Sequence, residues 1–216
     1  MASSLIESIL GILSPEMNQA IATRLGEPPE KVKNGLSTAT AAILAGLEKR
    51  SDDTDFLSQV LILVGEASGH DIVGQLHGLA ANGPSGSSAE LVKRFVWLVF
   101  VGEQNQVAGV IAQKSGVSTE SAGELLRTAV PLILGFFAKM ASSGNLSLSS
   151  LGSILQGEAP SLEGYLPLEA ETVQAQSNDA ADVARSGDTG KWLVLLGALG
   201  AGLVGWLVYS AVNMPK

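Results

Sequence analysis

Met17–Lys49 reads MNQAIATRLGEPPEKVKNGLSTATAAILAGLEK, and Val107–Lys139 reads VAGVIAQKSGVSTESAGELLRTAVPLILGFFAK. Laid over one another at an offset of 90, they share ten identities in 33 ungapped positions, among them Ile21/Ile111, Gly26/Gly116, Leu36/Leu126, Thr38/Thr128, Ile43/Ile133 and Lys49/Lys139. An internal repeat makes each copy one supersecondary unit with the same buried face. Each copy predicts a helix, a tight turn and a longer helix. In the first, Ser14-Pro15 supplies an N-cap and a proline for the first helical position. Met17, Ala20, Ile21 and Leu25 follow at helical spacing, and Gly26 closes the helix as a left-handed C-cap. After Glu27-Pro28-Pro29-Glu30, Val32, Leu36, Ala39, Ile43 and Leu47 line one face of the longer helix. The second copy repeats the plan with Val107, Val110, Ile111, Gly116, a Ser118/Thr119 cap, then Ala122, Leu126, Ala129, Ile133 and Phe137. Pro131 falls inside its long helix and is expected to kink it or break one turn.

Outward from the two copies the chain divides into three zones. Between them, Phe56–Val64 predicts an apolar helix, and residues 82–88 (NGPSGSS) predict a loop. Ser87 with Glu90 has capping-box spacing and opens a helix to about Val101. Phe95–Val101 is apolar on all sides, which suits a buried central helix or a short buried strand, and the cap favours helix. Leu146, Leu148, Leu151 and Leu155 predict a last short helix behind the Gly144-Asn145 turn. The first zone, residues 1–156, is therefore expected to be an all-α multihelical domain with two helix-turn-helix pseudo-repeats. From Gly157 to Gly190 seven acids (Glu158, Glu163, Glu169, Glu171, Asp179, Asp182, Asp188) face one base, Arg185, and the composition predicts a flexible linker.

Trp192–Val212 is 21 residues without a charge. At about 1.5 Å per residue such a helix covers roughly 30 Å, the thickness of a bilayer's hydrocarbon core. Lys191 and Trp192 at one end and Tyr209 near the other are placed as interfacial anchors. The segment, residues 191–216 with its flanks, is expected to be a single-pass, tail-anchoring transmembrane helix. Gly197, Ala201 and Gly205 recur every four residues with Gly202 on the adjoining stripe, a pattern that lets two helices approach closely in lipid and predicts self-association as a homodimer. Met1–Leu13 has no basic residue and is interrupted by Glu7, so it does not read as a secretory signal. With Arg185 and Lys191 before the span and Lys216 after it, the N-terminal domain is expected in the cytoplasm, on a bacterial inner membrane.

Composition and motifs exclude more than they assign. The net charge is −8 and no basic face is evident, which argues against nucleic acid as a partner. The chain has no cysteine, so no disulfide, thiolate nucleophile or iron–sulfur centre is available. His70 and His77, with Asp71, are the only candidate metal ligands of their kind, but Gly69 and Gly74 argue against the helix that would align them. Gly83–Ser88 lacks the Lys-Ser/Thr ending of a phosphate loop, and no Gly-x-Ser-x-Gly elbow supports a hydrolase. Val110–Ser118 has the form of a DNA-binding turn, yet the helix after it offers Glu120 and Glu124 and no base before Arg127. No catalytic or cofactor-binding residue, no metal site and no cofactor is expected.

The Gly116-Val117-Ser118 turn followed by residues 128–135 (TAVPLILG) resembles the bacterial YidB-like family, domain of unknown function 937. The second copy carries the motif; the first has Ala41 in place of the proline and Pro28-Pro29 in place of Val-Ser. The resemblance covers about Leu5–Leu155 and implies a multihelical domain with no established enzymatic role. Some relatives continue into a periplasmic OmpA-like domain, which is not expected in this chain. Three roles follow for testing. The first is a membrane-tethered, non-enzymatic interaction or scaffold domain with protein partners. The second is a tethered enzyme or small-ligand binder with its site between the repeats, and the third is a transcription-related protein.

Overall fold

Short polar side chains start most of the helices. In the computed structural model, which describes residues 4–162, Ser4 accepts from Glu7 N at 3.2 Å while Glu7 returns a bond to Ser4 N, opening α1 (Leu5–Leu10). Ser14 caps α2 (Pro15–Leu25), and Gly26 ends it at φ +67°. Pro28 and Pro29 start α3 (Pro29–Glu48). Asp53 caps α4 (Thr54–Gly69) through Phe56 N at 3.0 Å, and Asp71 caps α5 (Ile72–Asn82). Then come α6 (Gly86–Phe100), α7 (Gln104–Ser115), α8 (Thr119–Ser142) and α9 (Leu148–Leu162). Gly116 closes α7 at φ +74° and Ser118 caps α8. Among the described residues the protein is all-helical, with nine helices and no strand.

The long helices of the two similar segments, α3 and α8, form the centre and pack on each other. Each is buried all round over a long stretch, α3 from Thr38 to Leu47 in its second half and α8 from Thr128 to Gly135 in its middle. Around them α7 packs on both, α4 and α5 lean on α8, and α9 on α3 and α4. The two turns also meet. Glu27 of the first accepts from Ser118 N of the second at 2.8 Å, and Lys31 Nζ donates to Gly116 O at 2.8 Å. The Ser118 amide holds the Glu27 carboxyl below its ordinary value, because the hydrogen bond favours the ionised form.

Several expectations change. The helix α5 forms where Gly69 and Gly74 argued against one: Ile72, Leu76, Leu79 and Ala80 are buried, and Gly74 leaves the space that the Asp71 carboxylate occupies as a cap. The helix α6 starts at Gly86, earlier than the Ser87/Glu90 spacing implied, with Ser88 accepting from Ser85 N at 3.1 Å. It is also not central. Phe95, Val99 and Phe100 are buried, whereas Trp97 is exposed. Pro131 lies within α8 and does not break it. The last helix continues past Gln156 to Leu162, and Glu158 accepts from Leu5 N at 3.1 Å, tying α9 to the start of α1.

By length and composition α8 is apolar enough to cross a membrane, and 67% of its apolar window is buried inside the fold, as for a core helix. Trp192–Val212 and the small-residue stripe of Gly197, Ala201, Gly202 and Gly205 lie outside the described residues.

Candidate functional site

Apolar residues recur on α6 more often than one buried face can use. Leu91, Val92, Phe95, Val99 and Phe100 turn inward. On the opposite side Glu90, Arg94, Trp97 and Val101 follow at intervals of three or four, with Lys93 beside them. Trp97 is 64% exposed, Val101 64% and, on neighbouring α4, Ile62 61%. Val101 donates its amide to Trp97 O at 2.8 Å and ends the helix in the left-handed region, φ +47° and ψ +40°. A β-branched residue there crowds its own backbone and is a strained choice for a cap.

Two grooves flank this ridge. One, of about 550 Å³, runs between α4 and α6 and is lined by Gln59, Ile62, Leu63, Arg94, Trp97 and Leu98. Arg94 grips Glu66 of α4 with both terminal nitrogens and fixes the two helices; the pairing lowers the Glu66 carboxyl and raises the Arg94 guanidinium. The other, of about 510 Å³, lies on the far flank of α6. Val92, Val96 and Trp97 line it together with Arg24 of α2, Gln104 of α7, and Glu124 and Arg127 of α8. Arg24 belongs to the first of the two similar segments, and Glu124 and Arg127 to the second. Glu124 faces Arg24 Nη1 at 3.5 Å and also pairs with Arg127. Arg24 Nη2 donates to Thr128 Oγ1 at 3.0 Å.

The motifs singled out in the sequence are dispersed. His70 ends α4 and His77 lies in α5, so they share no helix, and among the described residues no group of three or more His, Cys, Asp or Glu is placed to hold a metal. Gly83 to Ser88 forms the α5–α6 connection and the first turn of α6. The would-be recognition helix is the start of the core helix α8: Ser121, Ala122, Leu125 and Leu126 are buried, and Glu124 is engaged by arginines. Sequence reasoning missed Trp97. The signal was present, since Lys93, Arg94 and Trp97 fall on the wheel opposite Phe95, but a run apolar on all sides reads as core.

No curated protein and no solved structure matches the chain significantly. The profile of the family described as "Bacterial protein of unknown function (DUF937)" matches residues 7–140, more than half of the 216 residues. The chain therefore belongs to the DUF937 family of bacterial proteins.

Proposed function

We propose that this protein is a non-enzymatic docking domain, held at a membrane by Trp192–Val212 with residues 4–162 on the cytoplasmic side, and that the outer face of α6 receives a protein partner. The observation that carries this reading is three apolar side chains each more than 60% exposed: Trp97 and Val101 on the α6 ridge between two grooves, and Ile62 on α4 across the first of them. Single exposed apolar residues are ordinary on a protein surface. A large aromatic beside a groove with a charged rim is the anatomy of a binding hot spot, where tryptophan and arginine are enriched. The strained Val101 supports it further, because that side chain is mostly exposed while its backbone conformation costs stability.

A photoreactive residue placed at position 97 of the full-length protein in its own membrane tests the reading. A discrete protein adduct is expected at position 97 and not at Glu120, and Ile62→Asp should abolish it. Equal adducts at both positions, or none at 97, would overturn it. A second reading, a small-ligand site between the two similar segments, is favoured by the groove that Arg24 and Glu124 share.

A further inference from the structure

We propose that the groove between Trp97 and the Arg24–Glu124–Arg127 cluster receives the free carboxyl end of the partner protein, an inference that rests on the docking face described above. The first argument is charge. Glu124 offers two oxygens to two guanidiniums, Arg24 Nη1 at 3.5 Å and Arg127 Nη1. Each guanidinium carries five N–H donors. Lys93 and Glu90 line the same groove, so three cations face two carboxylates, and donors outnumber acceptors.

The second argument is unmet hydrogen bonding. Arg24 is only 16% exposed along its side chain, and its buried Nε has no acceptor. The buried Oε1 of Gln104 has no donor. Gly83 lets the chain pass beside the guanidinium because it has no side chain; a Cβ there would stand 2.7 Å from Arg24 Nη1. The site thus combines a surplus of cationic donors, an enclosed acceptor that has no donor, and an apolar wall of Val96 and Trp97. The last residue of a peptide carries the complement of all three: a carboxylate for the arginines, an amide N–H for Gln104, and a side chain for the wall. Inorganic phosphate or acetate matches only the first.

The test applies the full-length protein in detergent micelles to an array of hexapeptides varied at the last three positions. Each is synthesised once with a free C-terminal carboxylate and once as the amide. A subset ending in an apolar residue should be retained as free acids and bind at least about tenfold more weakly as amides, the cost of roughly one lost charged contact. Arg127→Gln and Gln104→Leu should each lower the affinity for the retained acids by about tenfold without lowering the thermal melt, since Arg127 is exposed and Gln104→Leu removes a buried oxygen that has no donor. Arg24→Gln also removes a tie to α8, so the other two variants carry the test. Equal retention of acids and amides, retention of neither, or affinities unchanged in both variants would overturn the proposal. An adduct at position 97 that joins an internal partner segment, together with a negative array, removes this proposal and leaves the docking face standing.

Discussion

Val101 shows at the residue scale what the α6 face costs the free protein. An L-residue in the left-handed region is disfavoured by about 1–2 kcal/mol, and a β-branched side chain worsens the crowding. Glycine removes that strain but loses roughly 0.5–1 kcal/mol through its freedom in the unfolded chain. Val101→Gly is therefore expected to stabilise the fold by about 0.5–1 kcal/mol and to raise the melting temperature by about 1–4 °C, the scale for a domain of this size. The same variant should weaken the adduct at position 97, because the face loses an exposed isopropyl group one turn after Trp97. A melt unchanged or lowered on this substitution, followed by circular dichroism, would show that Val101 is not strained. The sequence alone gives little warning here: a valine at the end of an apolar run looks like one more core residue.

The placement of α6 depends on α3. A Cβ added at Gly46 of α3 would lie 2.5 Å from Val99 Cγ1 and 3.3 Å from Phe100 Cε1, both on α6 and both buried. Valine is stiff about χ1, so it cannot swing aside as an exposed side chain would. Replacing glycine by alanine inside a helix is worth about 1 kcal/mol in propensity, whereas overpacking a core costs about 1–3 kcal/mol. Gly46→Ala is expected to lose about 1 kcal/mol net, seen as a lower denaturant midpoint at unchanged slope. Gly65, inside α4, would meet nothing within 4 Å, so Gly65→Ala should gain up to about 1 kcal/mol. The opposite signs of two identical substitutions test the packing directly. Helical periodicity marks Val32, Leu36 and Ile43 as inward-facing, but not the approach of α6 that makes Gly46 necessary. Likewise α5 was hidden behind Gly69 and Gly74, because a glycine that admits a capping carboxylate is read from sequence as a helix breaker.

For the whole molecule, two apolar stretches are long enough to cross a membrane, α8 and the sequence Trp192–Val212. Residues 119–142 pass a length and hydropathy test for a membrane span, yet most of that window is buried against the rest of the domain. Helix α8 satisfies its apolar surface within the fold, chiefly against α3, α4, α5 and α7. The proposed anchor therefore falls on Trp192–Val212. Full-length protein should remain in membranes washed with alkaline carbonate, and deletion of residues 191–216 should move it to the soluble fraction with its far-ultraviolet helical signal intact. If the deleted form stays in the membrane fraction, the anchor lies elsewhere. For the proposed span and its proposed self-association, Gly202→Ile or Gly205→Ile should weaken the signal of a membrane dimerisation reporter, since bulk at a small-residue stripe keeps the backbones apart.

By itself the sequence determined the helical class and the two helix–glycine–helix segments. It also placed both turns, because caps, prolines and left-handed glycines act within a few residues of chain. The uncharged stretch at 192–212 is equally local, a matter of length and hydropathy. Only the tertiary structure decided which apolar surface is covered. It buried residues 38–47 of α3 and 128–135 of α8 on every side where periodicity showed one face, and it left Trp97 uncovered in a run that looked like core. It also drew Arg24 to Glu124 and Arg127 across a long separation in sequence. Burial and charge pairing are properties of neighbours in space, and the candidate site is made of both.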